Sequence, residues 1–178
     1  ATAVFGVYFK LQSFIFMPVF GLNNGAVPII AYNYGARKKK RMTDTIKTGC
    51  IGAASIMVFG ILIFEFFPHL LLSFFDATPE IYRIGEIALR IIAIHFPLAA
   101  ICIMLGCVLQ ALGKGVQSML VSFVRQLIVL LPVAWLLSLS GNLNVVWWAF
   151  PIAEFASLMF TLFFYKKIYD KTIKHIEA

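Results

Sequence analysis

The sequence predicts an all-α fold, a polytopic bundle of about five membrane-spanning helices. Three observations carry that prediction. First, 61% of the 178 residues are hydrophobic and only 13% are charged. A soluble domain of this size covers itself with about a quarter charged residues, so lipid is the solvent that suits this composition. Second, the apolar residues gather into five segments near the length of about 20 residues that a helix needs to cross a hydrocarbon core. Third, the basic residues cluster in the connections on one side of those segments. Open strands leave backbone groups unanswered in lipid, and the short alternating segments of a β-barrel are absent.

Segment one covers residues 1–34 and is densest over 14–32. It holds Pro18, Gly21, Gly25 and Pro28. A proline inside a helix removes a hydrogen bond and bends the axis, so Pro18 and Pro28 are expected bends. Asn23 and Asn24 lie between them, with Tyr32 and Asn33 beyond. Amides at membrane depth need partners, and these four are candidates for lining a cavity. Segment two covers 48–67 and segment three 84–109. Between them lies a short apolar stretch led by Pro68, suited to the membrane interface. A tight turn, Gly113-Lys114-Gly115, leads to segment four at 117–137, which carries the cavity candidates Arg125 and Gln126 and the expected bend Pro132. Segment five, 145–165, carries the expected bend Pro151 together with Glu154. Residues 166–178 read as a polar, amphipathic tail.

The connections fix the orientation. Eleven basic residues fall on one side: those at 37–41, then Lys47, Lys114, Lys166, Lys167, Lys171 and Lys174. Arg83 alone falls in the connections of the other side. Basic loops stay in the cytoplasm, so the 37–41 loop and the C-terminus are expected there, in a multi-pass protein of the plasma (inner) membrane. Trp147 and Trp148 then fall at the outer interface, where an aromatic belt forms. The chain begins at Ala1 without Met and without a signal-peptide pattern. We read that start as a cut inside a longer protein.

Arg125 and Glu154 are the two deepest charges. Counting along a helix from the cytoplasmic ends of their segments puts Arg125 about 12 Å deep and Glu154 about 16 Å deep. Adjacent antiparallel helices at those depths bring opposite charges together and spare each an isolated charge in lipid. Such a pair serves either as structural glue or in substrate or proton coupling. Lys10 and Arg90 sit near outer ends and are expected to snorkel or to line an outward-facing cavity. His95, near Pro97, is expected to be a packed helix residue.

Other functions lack their signals. The basic charge, +7 at neutral pH, comes with no nucleic-acid recognition motif, so no nucleic acid is expected as a partner. Cys50, Cys102 and Cys107 form no C-x-x-C pair and lie in apolar stretches. They read as packing thiols, with neither a disulfide nor a metal site expected. No H-E-x-x-H, G-x-S-x-G or Walker-type loop is present. We therefore expect no enzyme and no cofactor.

Four stretches, in order along the chain, carry a family resemblance. Pro28-Ile29-Ile30-Ala31-Tyr32-Asn33-Tyr34-Gly35-Ala36-Arg37 resembles the end of the eighth helix of MATE (multidrug and toxic compound extrusion) transporters, with Gly21 upstream. Leu109-Gln110-Ala111-Leu112-Gly113-Lys114 is similar to the end of helix ten. The stretch from Ser122 to Pro132, with Arg125 and Gln126, looks like helix eleven. The stretch from Trp147 to Glu154, with Pro151, looks like helix twelve. The resemblance implies a fold of twelve helices in two lobes, of which this chain supplies helices eight to twelve. It implies export of cationic or amphipathic drugs by alternating access, driven by H⁺ or Na⁺. The implied partners are the lipid bilayer, an organic cation, the coupling ion and an N-terminal lobe of the same chain. Segment three has no Asp or Glu in its inner part, and Glu86 stands at its outer start. That argues against a Na⁺ site on this lobe and suits a proton site on the other.

Two alternatives stay open on the residues alone. A flippase for lipid-linked oligosaccharides handles anionic head groups, and Lys10, Arg90 and Arg125 keep it alive. A non-transporting membrane scaffold would use no ion gradient. The orientation has a direct check. In whole cells, a membrane-impermeant maleimide is expected to label an Asn142→Cys variant, and to label a Lys40→Cys variant only after the membrane is opened. The reverse pattern overturns the orientation.

Overall fold

The computed structural model describes residues 2–176. Helix α1 spans Thr2–Gly35 and α2 spans Lys39–Phe66. A short α3, Pro68–Ser73, precedes α4 at Pro79–Ala93 and α5 at Phe96–Ala111. Helix α6, Gly115–Phe123, passes into a π-helical stretch, Val124–Leu130, and on into α7, Leu131–Ser138. One turn, α8 at Leu143–Val146, leads into α9 at Ala149–Ile168, which ends in a second π turn, Tyr169–Ile173. Among the described residues, four helical stretches are long and apolar enough to cross a membrane, and the bent pair α4 and α5 makes up to five.

Two helix ends are stopped in the same way. At the end of α1, Lys38 N–H donates to Asn33 O at 2.8 Å and Arg37 N–H to Tyr34 O at 3.1 Å. At the end of α5, Lys114 N–H donates to Leu109 O at 2.7 Å and Gly113 N–H to Gln110 O at 3.0 Å. Both are paired stops in which one left-handed residue lets the chain answer the last carbonyls. Glycine fills that place at Gly113 (φ 72°), and Arg37 fills it at φ 56°. The stops deliver Lys38 and Lys114 to the same end of the bundle, the basic end.

The expected bends are distributed differently. Pro18 and Pro28 lie inside an unbroken α1. The largest break falls where α4 meets α5, ahead of Pro97, where the two axes differ by 46°. Pro97 has no N–H to return to the carbonyl of Ala93. There Ile94 and His95 donate instead to the carbonyls three residues back, at 3.3 and 3.2 Å. Pro151 sits in the first turn of α9, where a missing N–H costs nothing, so it starts the helix rather than bending it. Pro132 lies just beyond the π stretch, whose wider register replaces the α register in the turn before it.

Helix α2 packs between α1 and α5 through small residues. A methyl group added at Gly60 would come within 2.6 Å of Ile15 Cγ2 and 3.4 Å of Phe96 Cδ2. At Gly52 it would lie 3.3 Å from Leu22, and at Gly49 it would meet the tip of Met104. Helices in lipid gain little from apolar burial against one another, so close approach through small residues is what holds them. The buried aromatics Phe16, Phe64 and Phe96 meet edge to face beside this seam, with ring centroids 5.1 to 5.4 Å apart. At the other end, His69 Nδ1 lies 2.8 Å from Glu86 Oε1 and joins α3 to α4.

Part of the region read as a polar, amphipathic tail packs against the bundle. Ile168 and Ile173 are buried, and Lys39 Nζ donates to Lys174 O at 3.0 Å. Trp147, expected in an interfacial belt, is buried, whereas Trp148 is exposed.

The Gly60 seam generates a stability prediction. Ile15 is β-branched and stiff, whereas the Met104 tip is adaptable. We expect Gly60→Ala to destabilise the protein by about 1–3 kcal/mol and Gly49→Ala to cost less. Thermal unfolding in detergent checks the order, and equal or inverted costs contradict the packing described.

Candidate functional site: a polar cavity between four helices

Four helical walls line a partly open cavity of about 440 Å³. Each wall presents one stripe at helical spacing. On α1 the stripe runs through Tyr8, Gln12, Phe16 and Asn23. Across the break and down α5 it runs through His95, Ala99, Cys102, Gly106 and Gln110. On α6 and the π stretch it runs through Ser118, Ser122, Arg125 and Gln126. On α9 it runs through Phe150, Glu154, Ser157 and Thr161.

The pair of Arg125 and Glu154 lies at the centre of this arrangement. One guanidinium nitrogen, Arg125 Nη1, donates to both carboxylate oxygens of Glu154, each at 3.4 Å. The Glu154 side chain is 7% exposed and the Arg125 side chain 32%. The carboxylate is therefore enclosed, while the guanidinium opens to the cavity. The Cys102 thiol faces the same carboxylate from α5. Arg125 is the second residue of the π stretch. A π turn inserts an extra residue and so re-aims the side chains that follow.

Smaller polar groups are mostly satisfied locally. Thr161 donates to Ser157 O at 2.8 Å, and Ser122 to Ser118 O at 3.2 Å. Gln110 Nε2 reaches across to Ser118 Oγ at 3.3 Å and ties α5 to α6. Gly106 permits that approach, since an added methyl there would sit 3.4 Å from Ser118 Oγ. His95 is buried at the break, with Nδ1 hydrogen-bonded to Ile92 O. Its ring packs among Phe16, Phe96 and Phe150 at centroid distances of 5.2 to 6.4 Å. Two buried polar atoms on the cavity wall, Tyr8 Oη and Asn23 Oδ1, have no protein partner among the described residues.

The structure brings together Asn23, Arg125, Gln126 and Glu154 from the sequence-derived candidates. It leaves out three. Asn24 is exposed on another face of α1. Tyr32 is 71% exposed near the basic end. Asn33 is buried and spends its amide on Ile29 O at 2.8 Å within its own helix, while its carbonyl takes part in the helix stop. None of the three lines the cavity. Lys10 also lies outside it, over the Phe75 ring at 5.8 Å from the centroid. Sequence reasoning missed Tyr8, Gln12, Ser118, Ser157 and Thr161. The signal was available in spacing: Glu154, Ser157 and Thr161 fall at i, i+3 and i+7, one face of a helix.

A bundle of membrane-spanning helices around a partly polar internal cavity is the architecture of a membrane transport protein. The chain belongs to the MatE family, whose model matches residues 1–136. It is 29% identical over 163 residues to the multidrug export protein MepA of Staphylococcus haemolyticus (strain JCSC1435), covering 92% of this chain and 36% of that protein. MepA of Staphylococcus aureus (strain bovine RF122 / ET3-1) is 29% identical over 154 residues, covering 86% and 34%. The chain therefore spans about a third of the length of the curated relatives it matches. Among solved structures, the MATE multidrug transporter DinF-BH in complex with R6G superposes with a TM-score of 0.84 at 32% identity, over 96% of this chain and 38% of that one. An outward-facing MATE family transporter of the MOP superfamily superposes at 0.88, over 97% and 39%, and an inward-facing one at 0.87, over 97% and 40%. Both of the latter are 17% identical and show the shared fold alone. The relatives are export proteins rather than enzymes, and none of these matches favours a flippase or a scaffold.

Breaking the central pair tests its structural weight. Removing one partner of a fully buried pair costs about 3–5 kcal/mol, and the opening of Arg125 to the cavity reduces that. We expect Arg125→Met to destabilise by about 2 kcal/mol and Glu154→Gln by less, since the amide still accepts from the guanidinium. Thermal unfolding of both variants and the double variant reads the coupling. Strict additivity means that the two groups do not interact.

Proposed function

We propose that this chain forms helices eight to twelve of a cation-coupled multidrug antiporter, and that its internal cavity is part of the route for organic cations. The supporting observation is the composition of the cavity wall. Glu154 is the one carboxylate on it among the described residues, set among the rings of Phe9, Phe16, Phe20 and Phe150. Apolar walls with few fixed polar groups bind large ligands with loose shape demands, and aromatic faces attract cations. An organic cation, or a proton, competes with Arg125 for the Glu154 carboxylate. Tyr8 Oη and Asn23 Oδ1 are then the groups left to orient the bound molecule.

In this reading the protein sits in the plasma (inner) membrane with its basic end and C-terminus in the cytoplasm. The unit moves as a body against an N-terminal lobe, under an H⁺ or Na⁺ gradient.

The test uses the intact protein in energised inverted vesicles and a fluorescent organic cation. We expect uptake that disappears when the coupling gradient is collapsed, with H⁺ and Na⁺ collapsed separately to identify the ion. Glu154→Gln is expected to lower initial uptake at least about tenfold, the lower end for a positioned proton-handling group, while remaining folded. Uptake indifferent to both gradients rules out antiport. Full uptake by the folded Glu154→Gln variant removes Glu154 from the mechanism.

A further inference from the structure

A second pocket lies at the basic end, with a lining that shares no residue with the central cavity. It has a volume of about 210 Å³ and lies between the start of α6 and the end of α9. Lys114, Lys167 and Lys171 line it, with Gln117, Thr172 and the Phe164 ring. We propose that this pocket holds the phosphate headgroup of an anionic phospholipid.

Four features of the pocket carry the proposal. Its three ammonium groups come from two parts of the chain distant in sequence, Lys114 from one and Lys167 with Lys171 from the other. The helix stop at Gly113 delivers Lys114 to one rim, and the turn of Tyr169–Ile173 returns Lys171 to the other. The turn is held by the buried side chains Ile168 and Ile173 and by the bond from Lys39 Nζ to Lys174 O. This is a held rim of like charges, which repel one another unless an anion answers them. Among the described residues no acidic side chain lines it; Asp170, the acidic residue of that turn, is outside the lining.

The helix end adds to the charge. Lys114 caps α6 without a side-chain bond to the first turn, which has no acidic residue. Gln117 N–H and Ser118 N–H donate to Lys114 O, and the positive end of the helix dipole favours an anion nearby.

The surroundings select a lipid rather than a soluble ion. Beyond the pocket, α6 exposes Val116 and Met119, and α9 exposes Phe160 and Phe163. A phosphate bound at the lysines has room for acyl chains along those side chains. Basic pockets between membrane helices on this kind of surface take anionic headgroups. The phosphate chemistry alone would also admit free inorganic phosphate, so the test separates the two.

The experiment is native mass spectrometry of the intact protein, released from detergent with phosphatidylglycerol, phosphatidylcholine or inorganic phosphate added. Three variants are compared: the Lys114→Gln, Lys167→Gln and Lys171→Gln triple, the same triple to Arg, and a control triple Lys38→Gln, Lys40→Gln and Arg41→Gln that removes equal charge elsewhere on the face. We expect phosphatidylglycerol to be retained over phosphatidylcholine by the parent and by the Arg triple. The pocket Gln triple should weaken that retention about a hundredfold, from about one surface-lysine contribution at each of three positions. The control triple should stay within about threefold. Equal retention by the pocket Gln triple overturns the site. Equal losses in the pocket and control triples reduce it to general surface attraction, which also overturns it. Displacement of the lipid by millimolar phosphate shows a soluble-anion site and overturns the lipid assignment. An unchanged melting temperature in neutral detergent, expected for three exposed lysines, confirms that the variants are folded. This inference does not depend on transport, so it stands or falls apart from the antiport reading.

Discussion

Lipid answers no hydrogen bond and neutralises no charge, and the arrangement of this protein follows from that constraint. Arg125 and Glu154 are too polar to face hydrocarbon, so the helices that carry them must face each other. Once α9 and the π stretch are turned toward one another, the remaining polar residues at helical spacing follow. Ser157 and Thr161 come with Glu154, and Ser118 and Ser122 come with Arg125. The cavity is thus the meeting place of polar stripes that have nowhere else to go. The opposite faces of the same helices, with Phe155, Phe163, Leu127 and Trp135, are exposed and apolar.

Regular helices alone would not create the space. Two ideal helices in close contact interlock and leave no cavity of this size. Here the 46° break ahead of Pro97 displaces α4 from the axis of α5. The π stretch at Val124–Leu130 widens the opposite wall. Both irregularities stand beside a proline and beside a residue that enters the cavity, His95 in one case and Arg125 in the other. Irregular backbone at membrane depth is tolerated where it lines a cavity. Proline supplies the local cause, because it withholds the N–H that would keep the regular register. The packing on the far side compensates, with small residues of α2 locking α1 and α5 at close range around the aromatic cluster.

Much of this could be read from the sequence, because burial in lipid leaves a strong compositional record. The all-helical class follows from long apolar segments. The pairing of Arg125 with Glu154 follows from two depths and one antiparallel connection. The sequence was less informative about direction. Pro18, Pro28, Pro132 and Pro151 all look alike as letters, yet they occupy a helix interior, a register change and a first turn. What a proline does depends on where the preceding carbonyl finds its partner, which neighbouring helices decide. Tyr32 and Asn33 looked like cavity residues because they are polar and near a bend, but they serve the helix end and its surface. Asn23 and Asn24 are adjacent and chemically identical, and one step of about 100° around a helix separates the cavity wall from the exposed face. Helical phase would have distinguished them, as it would have found Ser157 and Thr161.

The location of the polar cavity within a single unit constrains how it can work. The pair of Arg125 and Glu154, the break at His95 and the π stretch all belong to helices packed against one another. A rigid movement of the whole unit leaves the distances among them unchanged. What such a movement can change is which membrane face the cavity meets, and which surface closes its open side. For the pair to control access in the proposed antiport, chemistry there would have to alter the unit's shape or charge. In the proposed antiport Glu154 is the group placed to do this, because a proton or a cation on its carboxylate would free the guanidinium that now bridges both oxygens. Arg125 already opens to the cavity and stands on the least regular turn of its helix. It is the partner that can swing with little disturbance to the packed core. In the proposed antiport, the physical coupling between what binds and how the unit presents itself is thus concentrated in one side chain's choice of partner.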